Sequence, residues 1–240
     1  MPRFYISETL ELGQHISLPS ALAHHIQVLR LQVGDLITLF HGDGGEYSAC
    51  IYAIDKKQVM VEVKTFTARD VELPYAITLA QALPESSKMD WIIEKAVELG
   101  IAAIQPLAAQ RSVQKLTPER AEKRHAHWQA IIVAASEQCG RNRLARLAPL
   151  ANLPQWINQV DLHHRVLLSP RAEISLSDWA RHHPPQALCL MIGPEGGFSE
   201  AEENIAIQHG AMAFSLGPRV LRTETAGMAA LASLQAIWGA

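Results

Sequence analysis

Three stretches of this sequence carry residue types and spacings that could do chemistry. The first is Ile192-Gly193-Pro194-Glu195-Gly196-Gly197-Phe198-Ser199, which follows the apolar run "ALCLM". One glycine would serve a plain turn. Three glycines around a proline make either a sharp corner or a place where backbone amides approach a ligand that side chains would block. The second, Leu216-Gly217-Pro218-Arg219, follows the run "AFS" and continues into Leu221-Arg222-Thr223-Glu224-Thr225-Ala226, which puts a guanidinium and a carboxylate at the start of a helix. The third, "LLSPRAE" from Leu167, also ends a strand-like run. Ligands of open parallel sheets bind beyond the carboxyl ends of the strands, so these three ends are candidates for one shared cavity.

Several familiar chemistries lack their signatures. There is no G-x-G-x-x-G after a first strand and no G-x-x-x-x-G-K-[ST], which argues against a dinucleotide-binding Rossmann site and a P-loop. Ser199 does not stand in G-x-S-x-G, so hydrolase chemistry has no motif. Cys50, Cys139 and Cys189 are far apart and lack metal-ligand spacing, and the pairs His24-His25 and His163-His164 have no third ligand in sequence. No metal is expected.

The elements that must position these loops fall into two groups. The first seventy residues alternate short β-like runs, "DLITLF", "EYSACIY" and "VMVEVKT", with turn chemistry at Gly42-Asp43-Gly44-Gly45, and one short helix is expected at "SALAHHIQVLR". The pattern changes after "TARDVELPY", which places a boundary near Leu73: a small β domain over 1–72 and a second domain over 73–240. In the second, strands and helices alternate. Thr117-Pro118-Glu119 opens a long helix, and Ser199 with Glu202 forms a capping box for another. That alternation predicts an α/β domain with a largely parallel sheet. The last segment, "ETAGMAALASLQAIWGA", is apolar around most of its circumference and must be buried.

With 240 residues, 48% hydrophobic and 19% charged, the chain reads as globular. No apolar run is long enough to span a bilayer and no signal-peptide core follows the N-terminus, so a cytoplasmic location is expected. The net charge of −3 speaks against a general polyanion binder. Its distribution is uneven: Arg111 to Arg146 holds eight basic residues against three acidic ones, either a solvated helix face or a phosphate-contacting surface.

"IGPEGGFSEAE" followed by "LGPRVLRTETA" resembles the paired C-terminal motifs of the SPOUT methyltransferases, specifically the RsmE type that methylates N3 of a uridine in 16S ribosomal RNA. The likeness continues in "KMDWIIEKAVELGI", "RSVQK", "ASEQCGRNR" and "HHIQVLRLQVGD", and so covers nearly the whole chain. It implies a PUA-like β-barrel domain that binds RNA, then an α/β domain threaded into a trefoil knot, and a homodimer. It also implies S-adenosylmethionine as cofactor, held by Leu168, Ser169, Ile192, Gly193, Pro194, Glu195, Gly196, Leu216, Gly217, Leu221, Thr223, Thr225 and Ala226. Arg222 would stabilise negative charge developing on the uracil, while Glu224 would accept the N3 proton or fix Arg222. Arg3, Arg30, Arg111, Arg141 and Arg143 are candidates for RNA phosphates. A modest basic patch on an acidic chain favours the decoding region of an assembled small subunit over free RNA. An RNA-binding assembly factor without activity, and ribose methylation of transfer RNA, are the competing readings.

Overall fold

A computed structural model describes residues 1–55, 58–159 and 164–239. The chain forms two compact units: Met1–Glu72 together with Ser136–Leu144, and Leu73–Ala135 together with Ala145–Ala240. The assignment of Ser136–Leu144 to the first unit departs from the contiguous division at residue 73.

In the first unit the elements run β1 (Arg3–Tyr5), β2 (His15–Ser17), α1 (Ser20–Val28), β3 (Leu36–Phe40), β4 (Glu46–Ile54) and β5 (Val59–Thr67). Its sheet has the order β1-β3-β4-β5-β2, with β3, β4, β5 and β2 antiparallel in turn and β1 parallel to β3. Alternation decides which side chains go inside: Ile37 and Leu39 of β3 and Val59, Val61 and Val63 of β5 join Phe4, Ile26 and Ile51 in one core. Segment 136–144 is fixed by polar contacts. Glu137 accepts from the Tyr5 amide at 2.8 Å, Arg3 pairs with Glu46 at 2.6 Å and bonds Asn142, and Arg141 forms a two-point pair with Glu72. Burial pushes the Glu137 carboxyl above its ordinary range, against the pull of the Tyr5 amide.

The second unit continues with β6 (Ile77–Ala82), α2 (Ser86–Glu98), β7 (Ala103–Ala108), α3 (Pro118–Cys139, whose last turn belongs to the first unit), β8 (Arg146–Leu147), β9 (Ala151–Asn152) and α4 (Leu153–Trp156). It closes with β10 (His164–Leu168), α5 (Leu176–Arg181), β11 (Leu188–Ile192), α6 (Glu200–Gln208), β12 (Met212–Phe214) and α7 (Thr223–Trp238). Every pairing in its sheet is parallel, in the order β12-β10-β11-β6-β7-β8, with β9 also on β7. β11 therefore lies between strands that precede it by very different chain distances, and β10, β11 and β12 end side by side.

All five β11 residues are buried, as a strand covered on both faces requires. Cys189 and Met191 face a layer that includes Leu153, Trp156 and Ala206. On the other face α7 lies against β11, α2 and α5. Gly227 permits this approach: a Cβ there would come within 2.9 Å of Ile192 Cδ1. Only one side of α7 is fully buried, through Thr223, Gly227, Ala230, Leu231 and Leu234, while Thr225, Ala232 and Ala236 stay exposed, so the expectation of a wholly buried helix is met on one face within this chain. No described helix is long and apolar enough to cross a membrane.

Candidate active site

The loops after β10, β11 and β12 enclose a cavity of about 240 Å³. That is somewhat below the roughly 300–1,000 Å³ usual for small-molecule sites. Its wall includes Leu168 and Ser169 from the first loop, Ile192, Gly193, Pro194, Glu195 and Gly196 from the second, and Leu216, Gly217, Leu221, Thr223 and Ala226 from the third. Of the residues expected at the cofactor, only Thr225 is not brought there. It stands two positions after Thr223, about 200° round the helix, and is exposed.

The three glycines of the second loop have different physical reasons. A Cβ on Gly193 would lie 2.6 Å from the Phe198 amide nitrogen and 2.8 Å from the Gly197 carbonyl carbon, so the loop's own backbone excludes it. Gly197 adopts φ of +67°, and its N–H closes a turn on the Pro194 carbonyl at 2.8 Å. Gly196 has neither constraint: its nearest neighbour would be the Arg111 stem at 3.4 Å, an ordinary contact. No steric or φ requirement of the chain itself demands glycine there.

Buried hydrogen bonds hold this loop in place. Thr223 donates its hydroxyl to the Gly193 carbonyl at 2.6 Å and accepts from Gln81 Nε2 at 2.9 Å, joining the start of α7, the end of β11 and β6. Gln81 is fully buried. Arg111 Nη1 donates to the carbonyls of Gly196 at 2.9 Å and Phe198 at 3.3 Å. The expected capping box is formed, and Glu202 also accepts from the Gln110 amide at 2.7 Å. Arg111 thus clamps the cavity wall in addition to any role towards RNA.

Beside the cavity, Lys88 lies among three carboxylates: Glu195 at 2.8 Å, Glu85 at 3.9 Å and Glu224 at 4.0 Å. Partial burial pushes the Glu195 carboxyl up, but hydrogen bonds from Lys88, the Glu85 amide and its own amide outweigh this and hold it below the usual range. Lys88 is raised, chiefly by its hydrogen bond to Glu195. Among the described residues Glu224 has Lys88, not Arg222, within ion-pair distance. Arg222 is exposed, caps α7 with its backbone, and stands between two wall residues, Leu221 and Thr223.

Sequence reasoning missed Gln81 and Lys88. A glutamine inside the apolar run "ITLAQAL" is the signal that marks Gln81, since a buried amide needs partners; for Lys88 only Glu85 is local, an ordinary i,i+3 pair. Of the five arginines expected at phosphates, Arg3 and Arg141 are buried or nearly so in the pairs described above, Arg143 is paired with Asp70 at 3.1 Å, Arg111 holds the loop, and Arg30 is exposed at φ of +57°. Among the described residues no group of three His, Cys, Asp or Glu could hold a metal ion, and His163 lies outside them.

The lining fits an adenosine-type ligand: apolar walls from Leu168, Ile192, Leu216 and Leu221, with glycine-rich backbone for polar edges. Comparison with known proteins agrees with this chemistry. The family model described as RNA methyltransferase domain matches residues 71–235, and that described as RNA methyltransferase PUA domain matches residues 18–64. The ribosomal RNA small subunit methyltransferase E of Bacillus subtilis is 33% identical, over 98% of this chain and 96% of that protein. A Legionella pneumophila protein solved in complex with the bound cofactor SAM is 38% identical with a TM-score of 0.92, covering 98% of this chain and 96% of the other. A Neisseria gonorrhoeae ribosomal RNA small subunit methyltransferase E bound to S-adenosyl methionine gives the same identity and TM-score, over 99% and 98%. The chain belongs to the ribosomal RNA small subunit methyltransferase E family.

Proposed function

We propose that this protein transfers a methyl group from S-adenosylmethionine to N3 of a uridine in the decoding region of 16S ribosomal RNA, acting on the assembled small subunit in the cytoplasm. The observation that carries the reading is the convergence of three strand-end loops on one cavity lined by twelve of the thirteen residues the motifs single out. The finer features of the reading are a trefoil knot in the second unit, a PUA-like barrel that binds RNA in the first, and a homodimer that completes the site.

Bound S-adenosylmethionine supplies an electrophilic methyl group on a sulfonium that leaves as a neutral thioether. The chain must do the rest. Uridine N3 carries a proton and attacks only as it is lost, so the base has to be held in line with the methyl carbon while negative charge grows on its imide. Arg222 is exposed beside the wall and can offer two donors to the uracil carbonyls. Glu224 is the nearby carboxylate for the N3 proton. Its Oε2 is buried without a hydrogen-bond partner, and Lys88 4.0 Å away compensates its charge. Glu195, Gly193 and Gly196 hold the cofactor side.

The test is incubation with labelled S-adenosylmethionine and unmodified small subunits, followed by digestion of the RNA and mass identification of the methylated nucleoside. N3-methyluridine is expected, lost in Arg222→Ala with cofactor binding retained. A ribose methyl, or no transfer despite cofactor binding, would overturn the assignment.

A further inference from the structure

The arginines expected to meet RNA are mostly engaged elsewhere, yet the second unit holds a cluster of cations that are not. A groove of about 670 Å³ is lined by Lys115, Arg120, Lys123, Arg124 and His127, with Gln114 at its start. Arg120, Lys123, Arg124 and His127 follow the i, i+3, i+4, i+7 spacing of one face of α3, and Lys115 joins them from the preceding loop.

Two of the acidic groups near these cations have partners of their own, and Asp90 offsets only His127. The Glu119 carboxylate accepts from its own amide and from the Thr117 hydroxyl, which hold it below its ordinary range. Asp90 accepts from Trp128 Nε1 at 3.1 Å and lies 2.9 Å from His127 Nε2. Among the described residues Lys115, Arg120, Lys123 and Arg124 have no acidic side chain within ion-pair distance, whereas Arg3, Lys88, Lys95, Arg141 and Arg171 all do. Like charges at three- and four-residue spacing destabilise a helix unless something neutralises them. In a chain of net charge −3 this is a local device, not a general excess.

The groove and the active-site cavity are close along the chain. Arg111 is in the cavity wall and Gln114 in the groove, so at most about 11 Å of chain separates them. We infer that this groove holds phosphates of the RNA strand that carries the target base, positioning the strand while the cavity loops act on the base. The inference rests on the proposed function for the identity of its ligand.

The test compares the wild type with a variant carrying Lys115→Gln, Arg120→Gln, Lys123→Gln and Arg124→Gln. Affinity for protein-free 16S RNA and for unmodified small subunits is measured over a range of salt, with thermal melting and S-adenosylmethionine binding checked in both proteins. Four lost phosphate contacts lower the slope of log affinity against log salt by about 3, so between about 50 and 200 mM salt the wild type loses roughly 50-fold more affinity than the variant. A variant with Lys115→Arg and Lys123→Arg should keep the wild-type slope. An unchanged slope in the neutralised variant overturns the inference. So does a loss confined to assembled subunits, which would assign the groove to a ribosomal protein. If the wild type fails to bind cofactor or transfer methyl groups, the proposed function falls, while the salt comparison on RNA still decides what the groove does.

Discussion

The dipeptide Gly-Pro follows both β11 and β12, the two strands that flank β10, yet the two loops are built in opposite ways. The loop after β11 is tied along its length: Thr223, itself held by Gln81, at Gly193, Lys88 and the Glu85 amide at Glu195, Arg111 at Gly196, and a capping box at Ser199. The loop after β12 runs exposed from Gly217 to Val220, with Val220 79% exposed. Gly193 is required because the chain's own backbone fills the space of a Cβ; Gly217 has nothing within 4 Å and is required for its φ of +100°. One motif in sequence therefore stands for two devices, a prebuilt wall and a free edge able to meet whatever approaches the cavity.

Gly193→Ala attacks the wall most directly. The added methyl must displace the backbone at Gly197 and Phe198, and we expect a stability loss of about 2–4 kcal/mol by thermal melting, with cofactor binding abolished in a calorimetric titration. A protein that binds cofactor normally would show that the wall yields. Thr223→Val keeps the shape of the side chain but strands the Gly193 carbonyl and one bond of Gln81, for about 1–3 kcal/mol and weaker cofactor binding. Gly217→Ala tests the other loop, where a left-handed conformation costs a residue with a Cβ roughly 1–2 kcal/mol and the cavity persists.

Lys88→Met should cost less near neutral pH, a small drop in melting temperature, because the ammonium is solvated. Its signature is in the pH dependence. The Glu195 carboxyl is depressed in the folded protein, so its contribution is complete above the ordinary glutamate value of 4.5 and fades as pH falls through the lower folded-state value. Without Lys88 the carboxyl is less depressed and that acid loss is smaller, so the melting temperatures of the two proteins should converge as pH falls below 4.5. Lys88 has the converse dependence, present below its ordinary 10.5 and lost as pH rises through the raised value. Val220→Ser is the smallest change: stability and cofactor affinity should stay within about 0.5 kcal/mol of wild type. A large drop in melting temperature would mean that the free edge is not free.

These loops were legible because their constraints are local. Glycine at a close approach, proline beside it and a Ser-x-x-Glu box each act over a few residues, and the apolar runs before them are long enough to show their period. β1, β2 and β12 have three residues each and β8 and β9 two, too few for any periodicity to register. The engagement of Arg141 and Arg3 depends on partners 69 and 139 positions away, and no feature near either arginine announces Glu72 or Asn142. Gln81 could have been suspected from its apolar surroundings; Lys88 could not, since Glu85 alone is local and Glu195 and Glu224 come from distant parts of the chain.

The two-segment make-up of the first unit bears on how the protein is made. Its sheet is complete by Thr67 and Arg3 already has Glu46, but the partners of Glu72 and the Tyr5 amide, and the Asn142 contacts of Arg3 and Glu46, arrive only with residues 137–142, after β6, α2, β7 and most of α3 have been synthesised. During translation the emerging β unit must wait with Glu72 and the Tyr5 amide bared to water, and closing it spans roughly a hundred residues, a modest entropic cost but a long delay at ribosomal speeds. A fragment stopped at Glu72 would lack its last polar layer, which only Ser136–Leu144 supplies.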